Sequence, residues 1–302
     1  MADLRLKGQL ELGIQRPSEN DRNFHLGGRS FYFFDFDDNI AVLTTPLVLF
    51  HKETGQELEL NSAEFALHHH GIGKSGPYAD YKMDFCDVKG TFRNFRDHNN
   101  EELERLNRLR QVFIEDVAHA LGAPDFQWKG PAWETFYHAA FNQRPVSVIT
   151  ARGHHPETIK AGIREFVSQK ALPVEPNYLS IFPVSHKPTR LELGDHDFSL
   201  GTAELKQRAI RASVEKALLE YGYSPYHRFG MSDDDPRNLQ LIMEEMIRLK
   251  TRYPEMSFFL IETTHGKFIK HEVKLTSSTI HQIQDRDEHN QLILFDDMTR
   301  IR

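Results

Sequence analysis

Six aspartates and a threonine stand at three places where apolar runs stop at polar residues. Ser30-Phe31-Tyr32-Phe33-Phe34 runs into Asp35-Phe36-Asp37-Asp38-Asn39. Pro145 to Ile149 runs into Thr150-Ala151-Arg152-Gly153, and Phe229-Gly230-Met231 runs into Ser232-Asp233-Asp234-Asp235. Crowded carboxylates repel one another, and burying them beside an aromatic strand is costly unless a cation or hydrogen-bond donors compensate. A hard divalent cation with oxygen ligands, Mg²⁺ above all, supplies that compensation. If the three runs are parallel strands of one sheet, their C-terminal ends share an edge, where residues distant in sequence meet around one ion.

The elements needed to position them are legible in the pattern. A β-branched run ending at Thr150 is followed by Pro156 and a helix with Ile159, Ile163, Phe166 and Val167 on one face, which is the βα unit of a parallel sheet. A strand is predicted near 178–184 and a helix over 203–221, its face read as Leu205, Ala209, Ala212, Lys216 and Leu219, closed by Gly222. A strand over 227–235, a helix opened by Pro236 and a strand at 257–261 continue the alternation. Between the first two acidic or hydroxyl ends, residues 47–50 and 57–60 read as a hairpin and residues 66–98 as loops. Leu103, Leu106, Leu109, Phe113, Val117 and Leu121 read as one amphipathic helix ended by Gly122 and Pro124, followed by a shorter helix at 131–141. Residues 269–275 and 292–295 read as extra strands. The second of these, ending in Asp296-Asp297, copies the look of the first acidic motif but has no helix after it, and reads as structural.

Composition narrows the classes. With 302 residues, 39% of them hydrophobic, the chain suffices for one domain with a large insertion, or two domains. A net charge of −7 argues against a general nucleic-acid or anionic-membrane binder. The one cysteine, Cys86, cannot form an internal disulfide. No apolar leader or membrane-length stretch is visible, so the default expectation is a cytoplasmic protein.

Asp35-Phe36-Asp37 after an apolar strand, a strand ending at Thr150, a lysine opening a later helix, and Ser232-Asp233-Asp234 after a further strand resemble the four motifs of the haloacid-dehalogenase-like phosphohydrolase superfamily. The resemblance covers residues 30–45 and 145–261. It implies an α/β, Rossmann-like parallel sheet with helices on both faces, formed by residues 1–45 and 144–302, with residues 46–143 inserted as flap and cap. It also implies a Mg²⁺-dependent phosphatase acting on a small phosphorylated substrate. Asp35 would be the nucleophile and Asp37 the general acid and base, with Thr150 and the adjoining N–H groups holding the phosphoryl oxygens. The metal would be held by Asp35, Asp37 through its main-chain carbonyl, Asp233 and Asp234. Lys206 is favoured over Lys187 as the charge-neutralising lysine. Asp37 separates this chain from relatives that cleave carbon–halogen or carbon–phosphorus bonds. Asp38 stands where the family commonly has glycine, and Asn39 where it has threonine or valine. A phosphotransferase or phosphomutase is the alternative within the fold, and a silent binding protein is a further one.

Other groups are ambiguous. Ala151 and Arg152 are candidates for substrate binding, although an arginine there also reads as a loop cap. Arg93, Arg96, Phe92 and Phe95 read either as a substrate platform or as cap surface. His68-His69-His70, His154-His155 and Asp195-His196-Asp197 lack paired metal-ligand spacing.

Overall fold

The computed structural model describes residues 17–86 and 88–275. In chain order the elements are β1 (Ser30–Phe34), β2 (Leu47–His51), β3 (Glu57–Leu60), α1 (Ser62–His68), β4 (Tyr81–Lys82), α2 (Asn100–Arg105), α3 (Val112–Ala120), α4 (Asp125–Trp128) and α5 (Trp133–Phe141). They continue with β5 (Pro145–Thr150), α6 (Pro156–Ser168), β6 (Asn177–Pro183), α7 (Lys187–Glu192), α8 (Thr202–Tyr221), β7 (Arg228–Asp233), α9 (Pro236–Arg252), β8 (Ser257–Glu262) and β9 (Ile269–Glu272). The segment at 292–297 lies outside the described residues.

Six strands form one sheet in the order β6-β5-β1-β7-β8-β9, parallel throughout except for the β8–β9 pair. β1 is central and every residue of it is buried, as expected of a strand covered on both faces. Its side chains alternate between two cores. Tyr32 and Phe34 join the layer built with α3, α5 and α6, and Phe31 and Phe33 join the layer built with α8 and α9. The protein is thus α/β, with a mostly parallel sheet between two helical layers.

The segment 46–143 divides in packing. Its first half carries a small sheet, β3-β2-β4, around a separate cluster of Leu49, Leu60 and Ile72. Its second half sends Phe113, Val117, Trp128, Trp133 and Phe136 into the main core beside Phe34 and Phe36.

Two expected elements differ. The single helix read over 103–121 is two, α2 and α3. A capping box between Asn99 and Glu102 starts the first, and Asn107, at φ 52°, turns the chain out of it. Leu109, read as inward, is 98% exposed. The buried face of α8 is also rotated from the one expected. Leu205, Lys206, Ala209, Ile210, Val214 and Ala217 are buried, whereas Lys216 pairs with Glu220 at the surface and Leu219 is exposed.

Candidate functional site

The C-terminal ends of β1, β5 and β7 lie side by side, because β1 pairs with both of the others. This register brings Asp35, Asp37, Thr150 and Asp233 to one edge. The turn after β1 is held by Asn39, which is fully buried. Its Nδ2 donates to the Asp35 carbonyl (2.9 Å) and to Ser232 Oγ (2.9 Å), and its Oδ1 accepts from Thr263 Oγ1 (2.8 Å). One side chain thus ties β1, β7 and the end of β8 together. Asp38 adopts φ 55°, the left-handed region that favours glycine and that aspartate tolerates better than most residues.

Lys206 reaches the site from α8, fully buried. Its Nζ lies 2.6 Å from Asp233 Oδ2 and 3.0 Å from Asp35 Oδ2. Burial works against the ammonium charge, but Asp233 and Asp35 outweigh it and hold Lys206 above the usual lysine range. Asp233 Oδ1 accepts from the Asp235 N–H (3.0 Å) and from Asn238 Nδ2 (3.1 Å), so α9 also fixes this carboxylate. Lys187, the other candidate lysine, opens α7 and lines a cavity beside Asp37.

Asp35, Asp233 and Asp234 each place a carboxylate oxygen within 4.8 Å of the others. Among the described residues this is the group of acidic, histidine or cysteine side chains close enough to hold an ion. Burial foremost raises Asp35 well above the usual carboxylate range, with Lys206 opposing and Asp233, Asp234 and Asp37 adding to the rise. Burial, then the Asp233 charge, pushes Asp234 up to about 7. The Asp35 carboxylate is half-satisfied, because Oδ2 has Lys206 while the buried Oδ1 has no hydrogen-bond partner.

Asp37 is gripped from the side. Arg152 donates through Nε (2.9 Å to Oδ2) and Nη2 (2.6 Å to Oδ1), a two-pronged pairing, and Nη2 also reaches Thr45 Oγ1 at 2.8 Å. The guanidinium is sandwiched between the rings of Phe95 and Phe113, at 4.7 and 4.6 Å. Thr150 Oγ1 is 3.5 Å from Asp37 Oδ2 and accepts from the Arg152 N–H. Ala151 is exposed on the same loop. The sequence offered Phe95 only as part of a substrate platform or cap surface and Phe113 only as a helix-face residue, and it did not point to Thr45. Only their approach to Arg152 identifies them, and no local pattern announces it.

The insertion meets the edge on two sides. On one, the Gly153 N–H donates to the Phe95 carbonyl, and Asp97 accepts from the His155 N–H and from Thr158. On the other, His69 Nε2 lies 3.2 Å from Arg237 Nη1. Arg93 and Arg96 are engaged by Glu57 and Glu102. His155 caps α6, and His154 is buried beside Phe113 with neither ring nitrogen hydrogen-bonded. Burial, then the Arg152 charge, holds His154 well below the histidine range, and hence neutral. Cys86 is exposed. Among the described residues no helix is long and apolar enough to cross a membrane. No protein-family model, no curated protein and no solved structure matches the chain.

Proposed function

We propose that this chain is a Mg²⁺-dependent phosphomonoester hydrolase of the haloacid-dehalogenase-like type, working through an aspartyl-phosphate on Asp35. The observation that carries the reading is the Asp35 carboxylate. One oxygen is fixed by Lys206, and the other is buried, unpartnered and next to two further carboxylates. A group so placed lacks a cation or an electrophile. The strand order, with β1 central and the acidic and hydroxyl ends on one edge, supports the same reading.

The donor set fits a hard divalent ion: oxygen ligands only, with more negative charge than Lys206 offsets. Asp35, Asp233 and Asp234, with the Asp37 carbonyl, would hold it. When bound it would neutralise charge on the phosphoryl group. The remaining chemistry belongs to side chains. An Asp35 oxygen attacks phosphorus as the bond from phosphorus to the ester oxygen breaks, and Asp37 gives the departing oxygen its proton. Water then attacks the aspartyl-phosphate and loses its proton to Asp37, releasing phosphate and restoring the Asp35 carboxylate. Thr150 and the Ala151 N–H hold the phosphoryl oxygens, and Lys206 offsets their charge. Arg152 acts as a positioning residue that keeps Asp37 turned toward the leaving oxygen. The substrate is a small phosphorylated molecule that enters between the insertion and the sheet edge.

The test is phosphate release from a panel of phosphomonoesters, with and without Mg²⁺, by wild type and Asp35→Asn. Mg²⁺-dependent release that falls at least about a thousandfold in the variant is expected. Release unchanged by Asp35→Asn would overturn the assignment of the nucleophile.

A further inference from the structure

Beside Asp37 lies a cavity of about 500 Å³, bounded by residues 84–86, Phe92, Phe95 and Arg96 on one side and by α7 and the chain following β5, β6 and α7 on the other. Its size is that of a small-molecule site. Asp37 is in its wall, while Asp35, Asp233 and Asp234 are not. In the proposed reaction the phosphoryl group sits at Asp35 and the leaving oxygen at Asp37, so the cavity begins where the leaving group begins. Four phenylalanines line it, among charged side chains that include Arg96, Lys187 and Arg190. Phe92 and Phe95 meet edge to face at 6.2 Å on the insertion side, and Phe198 faces the cavity from the loop between α7 and α8. Phe92 and Phe198 are 39% and 44% exposed, large apolar surfaces left uncovered inside a concave site.

A second observation is independent of the cavity. Phe198 has φ 57°, a left-handed backbone that a bulky side chain adopts only when its surroundings impose it. The surroundings are visible. Asp195 and Arg190 pair at one end of the turn, the Arg190 guanidinium lies 5.5 Å from the centre of the Phe198 ring, and Asp197 accepts from Ser199. Glycine would suit this backbone better, so the strain is kept together with an aromatic ring at the cavity wall.

Resting on the phosphatase reading, we propose that the substrate is a phosphomonoester whose leaving group carries a planar aromatic ring, seated between Phe92 and Phe198. Stacking and edge contacts discriminate such a ring from an aliphatic group of similar length. An aryl phosphate and a nucleoside monophosphate share this chemistry, differing in whether a sugar separates the ring from the ester oxygen.

The test separates binding from turnover. Equilibrium binding of benzylphosphonate and propylphosphonate to the full chain, with Mg²⁺ present, should favour the benzyl compound by roughly three- to tenfold. Phe198→Gly removes the ring at a position where glycine relieves the backbone, and it should bring the ratio of affinities close to one without lowering the melting temperature. Phe92→Leu should reduce the ratio as well. A ratio of one in the wild type, or a ratio unmoved in both variants, would overturn the ring site. Hydrolysis of benzyl and propyl phosphates at equal efficiency would also overturn it while leaving the phosphatase intact. Release from neither ester, with benzylphosphonate still preferred, would overturn the phosphatase and keep the ring site. Binding of neither phosphonate would overturn both. Phenyl phosphate and adenosine 5′-monophosphate then tell the two sources apart, a preference for either supporting the ring site.

Discussion

Lys206 stands between two buried carboxylates, and its removal would leave Asp35 and Asp233 facing each other without a counter-charge. Breaking a buried pair in this way costs about 3–5 kcal/mol. Lys206→Met is therefore expected to lower stability by that amount in urea unfolding with a chelator present, and by distinctly less in Mg²⁺, which would supply the missing positive charge. A loss that Mg²⁺ leaves unchanged would argue that the lysine supports the fold without sharing the ion's site. Asn39 illustrates a different residue-scale device. At a position where the proposed family has threonine or valine, the amide ties three strand ends together with hydrogen bonds that a valine cannot form.

At the scale of elements, α3 and α6 touch where Gly162 of α6 meets the ring of Phe113 of α3, so closely that an added Cβ would overlap the ring. Phe113 also lies against the Arg152 guanidinium that grips Asp37. Gly162→Ala gains helix propensity but should still destabilise, by about 1–3 kcal/mol of overpacking. It should also lower phosphate release, by pushing Phe113 toward Arg152; thermal unfolding and turnover measured together check both. The short helix α2 carries a pH-sensitive element. Arg96 foremost, against a burial penalty and with the Asn99 N–H assisting, draws Glu102 down to about 2 from its ordinary 4.5. A depressed carboxylate stabilises above its unfolded pKa, and that stability disappears as pH falls through the folded value. Glu102 is therefore expected to contribute about 3 kcal/mol at neutral pH that is lost between about pH 4.5 and pH 2. Glu102→Gln should flatten the acid limb of stability against pH over that window. Much of this was legible in the sequence. The strands ending at Phe34, Thr150 and Asp233 announced themselves by apolar runs meeting polar ends, and Pro156 and Pro236 marked the helices behind two of them. The break between α2 and α3 was hidden because Leu106 and Leu109 keep helical spacing while Asn107 turns the backbone. The grip of Arg152 on Asp37, with Phe95 and Phe113 around it, was hidden because it joins four separate elements.

Across the whole molecule, the acidic edge draws on β1, β7 and α8, so an ion bound there stabilises the assembly of all three. Mg²⁺ bound there as proposed, at near 100 times its dissociation constant, would add about 2.7 kcal/mol to the stability of the folded state. The melting temperature of the wild type should accordingly rise by several degrees in Mg²⁺ and return on chelation, while Asp233→Asn should show little rise. An equal rise in that variant would place the ion elsewhere. The insertion belongs to this whole as well. Phe113, Trp128, Trp133 and Phe136 fill the core beneath β1, and Asp97 accepts from the His155 N–H and from Thr158 at the start of α6. The half bearing β2, β3 and β4 instead packs around its own small cluster of Leu49, Leu60 and Ile72.

The central place of β1 also has a kinetic side. Its partner β7 follows so late that the bonds between Asn39 and Ser232 close a loop of 193 residues. Pairings this distant in the chain slow folding. During synthesis, the aromatic run Phe31 to Phe34 must wait, one edge unpaired, until β7 has been made. An unpaired edge of that composition is an aggregation hazard. Shortened forms ending before β7 would lose Asp233 and Asp234 from the acidic site and leave one edge of β1 uncovered.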